Sequence, residues 1–280
     1  MLADLSTYSL RDFLLFDETI YRGLFGQLNA AFWPMAAVAI LLAVALLVFR
    51  RRRPGVADRG VAALLATAFA ISAALFFFGV YETVNFAAVY PGWGFVLEAG
   101  LLLVAVFLLP NTGGSSSAPA SASPGRTGVW LAVALVVYAL FGHPLAGFAA
   151  GRASADLEWF ALAPAPTALA ALGFLGGWRS RWRFALIVVP VVWLLLDALT
   201  LYGLELMPEA VALLVATGFG VIAALVPRRS SFVETAADLG RSGMGDPAEP
   251  VRPLRQARRQ GHGTRPRSGT TGLLPTTSAQ

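Results

Sequence analysis

The chain has no cysteine and no lysine, and only two of its 280 residues are histidine. The first absence excludes disulfides, thiolate metal sites and cysteine nucleophiles. His143 and His262 are too few and too far apart for the usual haem or histidine-rich metal sites, so no metal and no cofactor is expected. With arginine as the only strong base among abundant alanine, glycine and proline, the composition fits a GC-rich bacterial genome. Charge is scarce as well, at 13% of residues against about 25% in soluble domains. No HExxH, GxSxG or glycine-rich phosphate loop occurs, and so no catalytic constellation is legible.

What is present is apolar sequence in long blocks, with 57% hydrophobic residues. The stretch from Ala31 to Phe49 holds nineteen residues without an ionisable side chain and ends in Arg50 to Arg53. As a helix it reaches about 28 Å, close to the ~30 Å hydrocarbon core of a bilayer. Six further apolar blocks follow, giving expected spans at 31–49, 61–80, 93–109, 128–142, 159–177, 184–202 and 208–226. The fold class expected is therefore an all-α, polytopic bundle of about seven transmembrane helices. Block 128–142 is the shortest of them, stopping before His143 and Pro144.

The arginine block after the first span is costly to translocate and places that end in the cytoplasm, hence the N-terminus outside and the C-terminus inside. Alternation then puts eighteen arginines inside and three, Arg11, Arg22 and Arg152, outside. Tryptophans agree, with Trp33, Trp93 and Trp159 near outer ends, Trp130, Trp178 and Trp182 near inner ends, and only Trp193 deep. The bacterial inner membrane is the expected location.

Residues 1–30 lack a basic segment before an apolar core, and no cleavable signal peptide is read there. Leu10, Phe13, Leu14, Ile20, Tyr21, Leu24, Phe25 and Leu28 recur at helical spacing, with Asp17 as a candidate N-cap. The expectation is an amphipathic outer-surface segment, either a plain interfacial anchor or a piece packed over the bundle mouth. Residues 111–125, NTGGSSSAPASASPG, read as a flexible cytoplasmic linker. The tail, 228–280, carries nine arginines against four acids and reads as disordered, suited to anionic lipid head groups. Without aromatic or structured readers, nucleic acid is not an expected partner.

Polar residues at depth are the informative ones in a bilayer, because an acid at a helix centre costs about 2.5 to 3.5 kcal/mol on insertion scales. Glu98 lies five residues, about 8 Å, below Trp93. Asp197 lies thirteen residues, about 20 Å, beyond Phe184, with Pro190 seven residues earlier expected to kink the same helix. Glu82, Asn85, His143 and Arg152 fall at a similar outer height, and Pro164, Pro166 and Thr167 interrupt the outer half of the fifth block. These residues are the ligand-binding candidates of an outward-facing polar pocket, with Arg152 or His143 as the cationic partner of Glu98 or Asp197. The alternative is structural: helix ends are polar in any membrane protein, and buried acids also bond neighbouring helices. The small residues from Ala161 to Gly177 point to close helix packing.

The run Asp12 to Phe16, then Tyr21, Leu24-Phe25, Asn29 and Phe32-Trp33-Pro34, resembles the opening signature of a bacterial family of multi-pass membrane proteins described only as a domain of unknown function. Val84 to Ala88 with Phe95 and Glu98-Ala99, Pro164 to Thr167 with Gly173, and Pro190 to Trp193 are similar to its later motifs, so the likeness covers about Tyr8 to Gly218. Members usually carry cysteine between the two prolines and histidine after a glycine of the fourth outer segment. Ala165 and Arg152 stand there, and no role of that thiol or imidazole carries over. The resemblance implies architecture and no reaction. A permease-like protein for a small solute or ion is the leading functional expectation. A non-catalytic membrane sensor or partner subunit is the alternative, and a membrane-embedded enzyme the least supported.

Overall fold

The computed structural model describes residues 14–108, 126–178 and 182–225; the expected linker, the expected basic tail and residues 1–13 of the expected outer-surface segment lie outside the described residues. Among the described residues every regular element is helical. In chain order these are α1 (Glu18–Phe49), α2 (Pro54–Ile71), α3 (Val89–Leu108), α4 (Arg126–Val137), α5 (His143–Ala149), α6 (Pro164–Gly176), α7 (Arg183–Leu186), α8 (Val188–Gly203) and α9 (Met207–Leu225). Some join into longer rods, and six of the resulting helices are long and apolar enough to cross a membrane. Large apolar side chains such as Leu41, Phe107 and Val211 are exposed on their outward faces, as a protein dissolved in lipid requires.

Of the seven expected spans, the fifth is the one not long enough to cross. From block 159–177 only α6 is helical, and thirteen residues at about 1.5 Å each give about 20 Å, short of a bilayer. All thirteen side chains are buried, so α6 is surrounded by protein and never has to match the lipid. Pro164 and Pro166 stand in its first turn, where a missing backbone donor goes unnoticed; they open the helix instead of breaking it. The non-helical residues before it are closed by side chains. Ser72 Oγ donates to the Ala161 carbonyl at 2.9 Å. Thr167 Oγ1 accepts from the Ala161 amide at 2.9 Å and donates to the Ala163 carbonyl at 2.7 Å. These bonds hold Ala161 at a positive φ of 72°, an uncommon conformation for alanine. Irregular backbone is tolerated at this depth because protein satisfies it.

At its other end α6 receives two arginines. Arg50 reaches the Phe174 carbonyl at 3.4 Å and Arg183 donates to the Trp178 carbonyl at 3.2 Å, cations placed where the helix dipole is negative. Arg50 also pairs with Asp58 at 2.8 Å. Close approach matters along the rod too: a Cβ on Gly173 would come within 2.9 Å of the Ala132 carbonyl of α4.

The other departures have local causes. Residues 18–30 do not form a separate surface helix; they are the first turns of α1, continuous with the first span, and Tyr21, Leu24, Phe25 and Leu28 are buried against the bundle. Asp17 caps that helix, accepting from the Ile20 amide at 2.8 Å. Block 128–142 continues past Pro144 to Ala149, through π-helical turns at Tyr138–Gly142 in which the His143 amide bonds the Tyr138 carbonyl. The wider turn absorbs the proline without ending the rod. Pro190 sits in the first turns of α8 and the break falls before it, at Ile187, so the expected mid-helix kink moves to the helix start.

Candidate functional site

Five elements converge at the end of the bundle where α1 begins and α8 ends. The connector after α5 carries Arg152, buried to 4% exposure. Its guanidinium donates to Glu158 at 2.6 Å and forms a second ion pair with Glu209 in the first turn of α9. Glu209 also accepts from Arg22 of α1 at 3.0 Å, and Arg22 in turn pairs with Glu18 at 2.9 Å. The other oxygen of Glu158 lies 3.2 Å from His143 Nε2. Beneath Arg152 lies the Phe25 ring, 5.7 Å from the guanidinium carbon. The connector is fastened to α1 by Asn29, whose Nδ2 donates to the carbonyls of Ala155 and Leu157 at 2.7 and 2.8 Å.

Electrostatics follow from this packing. Burial alone would raise the Glu158 carboxyl, but the charge of Arg152 and the hydrogen bond from His143 overcome it and bring it down from 4.5 to about 2. Burial likewise opposes charge on Arg152, yet Glu158 and Glu209 outweigh it and hold its proton more tightly than usual. Both groups are thus ionised together.

A cavity of about 360 Å³ opens beside them, walled by Tyr138, His143, Arg152, Glu158, Leu201 and Glu209. It is a concave space of small-metabolite size with charged groups of both signs on its wall. His143 there faces a carboxylate, and the wall presents charged groups that can bind and orient a polar molecule.

Of the six residues expected to form the pocket, Arg152 and His143 are together on this wall. Asp197 is buried close behind, accepting a hydrogen bond from the Tyr21 hydroxyl at 2.7 Å. The cationic partners expected for Asp197 and Glu98 are engaged with Glu158 and Glu209 instead. Asn85 is half-buried and caps the short turn Phe86–Ala88, accepting from the Ala87 amide at 3.0 Å and donating to the Tyr81 hydroxyl at 3.0 Å. Glu82 is exposed. Glu98 is fully buried in α3, and neither of its oxygens has a hydrogen-bond partner.

Glu158, Glu209, Arg22 and Tyr21 were not singled out from sequence. Glu158 is an acid six residues from Arg152 on the same expected outer loop, which is the signal that could have found it. Glu209 and Arg22 carried none, since nothing local tells that α1 and α9 start side by side.

A family model described as "Family of unknown function (DUF6064)" matches residues 18–235. The chain belongs to the DUF6064 family. The matched region of this DUF6064 member holds every residue of the Arg152 cluster and both deep acids. No curated protein and no solved structure matches the chain.

Proposed function

We propose that this DUF6064 member is a permease-like membrane protein that takes a small polar solute or ion at the Arg152 cavity. The observation that carries the reading is the cavity itself: about 360 Å³ with Arg152, Glu158, His143 and Glu209 on its wall, in a bundle whose outward faces carry large exposed apolar side chains such as Leu41, Phe107 and Val211. Charged walls are expensive in such a fold and usually mark a binding path. The arginine bias of the sequence supports an orientation with the N-terminus outside, which turns the cavity outward, and with the arginine-rich tail on the cytoplasmic face of a bacterial inner membrane against anionic head groups. Asp197, one bond from Tyr21 behind the wall, is the group assigned to couple occupancy to the bundle.

The test begins with a thermal-shift screen of purified protein against small metabolites and ions. Proton-coupled uptake of any stabilising compound into liposomes follows, for the wild type, Asp197→Asn and Glu209→Gln. Uptake by the wild type that either substitution abolishes is expected. Equal uptake by all three proteins removes the cavity from the path. A reporter fused after Gln280 that proved periplasmic would reverse the orientation.

A further inference from the structure

The interior of α3 poses a different chemical problem from the Arg152 end. Glu98 lies midway along a helix long and apolar enough to cross a bilayer, its side chain is 0% exposed, and both carboxyl oxygens are without a hydrogen-bond partner. A second unpartnered polar group lies on α8. The Trp193 indole N–H of α8 is buried with no acceptor, and its ring stands edge-on to Phe95 at 5.8 Å, one turn before Glu98 on the same helix. Two unmet polar groups thus border one aromatic cluster made of Phe69, Phe77, Phe95 and Trp193.

Among the described residues no counter-charge is in place. The π-helical turns Ser72–Val80 and the turn Phe86–Ala88, which pack on α3, hold no ionisable side chain. On α2, Asp58 is paired with Arg50, and Asp58 and Arg59 both sit in its first two turns. Arg183 of α7 donates to the Trp178 carbonyl, Asp197 of α8 is bonded to Tyr21, and Tyr202 of α8 is half exposed. None of them reaches Glu98 by a hydrogen bond or an ion pair. A carboxylate so placed would carry a full charge with neither donor nor cation, whereas the neutral acid carries none.

We propose that Glu98 is a proton-binding site in the bundle interior, separate from the Arg152 cluster and held as the neutral acid at physiological pH. Ionisation breaks the carboxyl O–H bond and delivers the proton to water, leaving the charge on Glu98. Ionisation in place leaves that charge in the apolar interior without a donor or a cation, and so the folded bundle is weakened once the buffer removes the proton.

Infrared difference spectra of the purified full chain in lipid nanodiscs, neutral against strongly alkaline buffer, test this directly. A protonated-acid carbonyl band is expected at neutral pH in the wild type and in Asp197→Asn, and its loss in Glu98→Gln. Melting in the same buffers should show an alkaline fall in the wild type that Glu98→Gln lacks. Two results overturn the assignment: a Glu98→Gln protein that keeps the whole band, which puts the proton elsewhere, or a wild type with no such band at neutral pH, which leaves Glu98 ionised. Neither measurement contains a solute, so a failed uptake assay leaves the outcome standing.

Discussion

Glu158 and Glu98 are hidden from solvent to nearly the same degree, at 4% and 0% exposure, and their surroundings are opposite. Glu158 meets Arg152 and His143 at 2.6 and 3.2 Å, while Glu98 meets no donor among the described residues. Burial by itself therefore does not decide the state of an acid; the presence of a hydrogen-bonded counter-charge does. One region is a closed set of ions in which removing any member strands the rest. The other is a single group that becomes innocuous by keeping a proton.

The sharpest way to break this contrast is Arg152→Met, which leaves Glu158 buried and without its strongest partner. A loss of about 3 to 5 kcal/mol is expected, read as the largest fall in melting temperature among these variants. Adding Glu158→Leu should recover much of it, because two apolar residues of similar volume replace a pair at little cost. If the double variant is as unstable as Arg152→Met, the ion pair is not what Arg152 supplies.

Acid acts on the same pair. The folded Glu158 value, about 2, lies below the ordinary 4.5, so the unfolded chain binds more protons in that interval. Its stabilisation is complete above 4.5 and is lost as pH falls toward 2. Melting across that window should show the loss in the wild type and a smaller one in Glu158→Gln.

Between the two extremes stands Ser72→Ala, which removes a neutral donor and leaves the Ala161 carbonyl with one partner fewer. About 1 to 3 kcal/mol is expected for a buried group left unsatisfied, again measured by melting. The mildest change is Glu98→Gln, which exchanges one neutral group for another of the same shape in the folded chain and should not lower neutral-pH melting. A fall there as large as that of Arg152→Met would make the two regions alike and dissolve the comparison.

Much of the architecture was legible because lipid imposes a length and a polarity that a one-dimensional scan can find. Block 31–49 with its arginines and the helical class follow from runs and spacings. Block 159–177 misled because hydropathy counts apolar residues without asking what covers them; α6 is apolar on every side since protein encloses it. Pro144 misled in the other direction, a π-helical turn carrying the rod through a residue that ordinarily stops one. Of the site, Arg152, His143 and Asp197 were visible as polar residues at one height, whereas Glu209, Arg22 and Tyr21 come from helices distant in sequence.

What the chain determined on its own is its solvent and its rods: where apolar runs approach about twenty residues, water is excluded and the backbone must bond within itself. Only tertiary structure decided which rod lies inside the others, which arginines finish its carbonyls, and which acids find a cation. Those outcomes depend on distances between segments more than a hundred residues apart, such as Arg22 and Glu209, and no local pattern encodes a contact of that range.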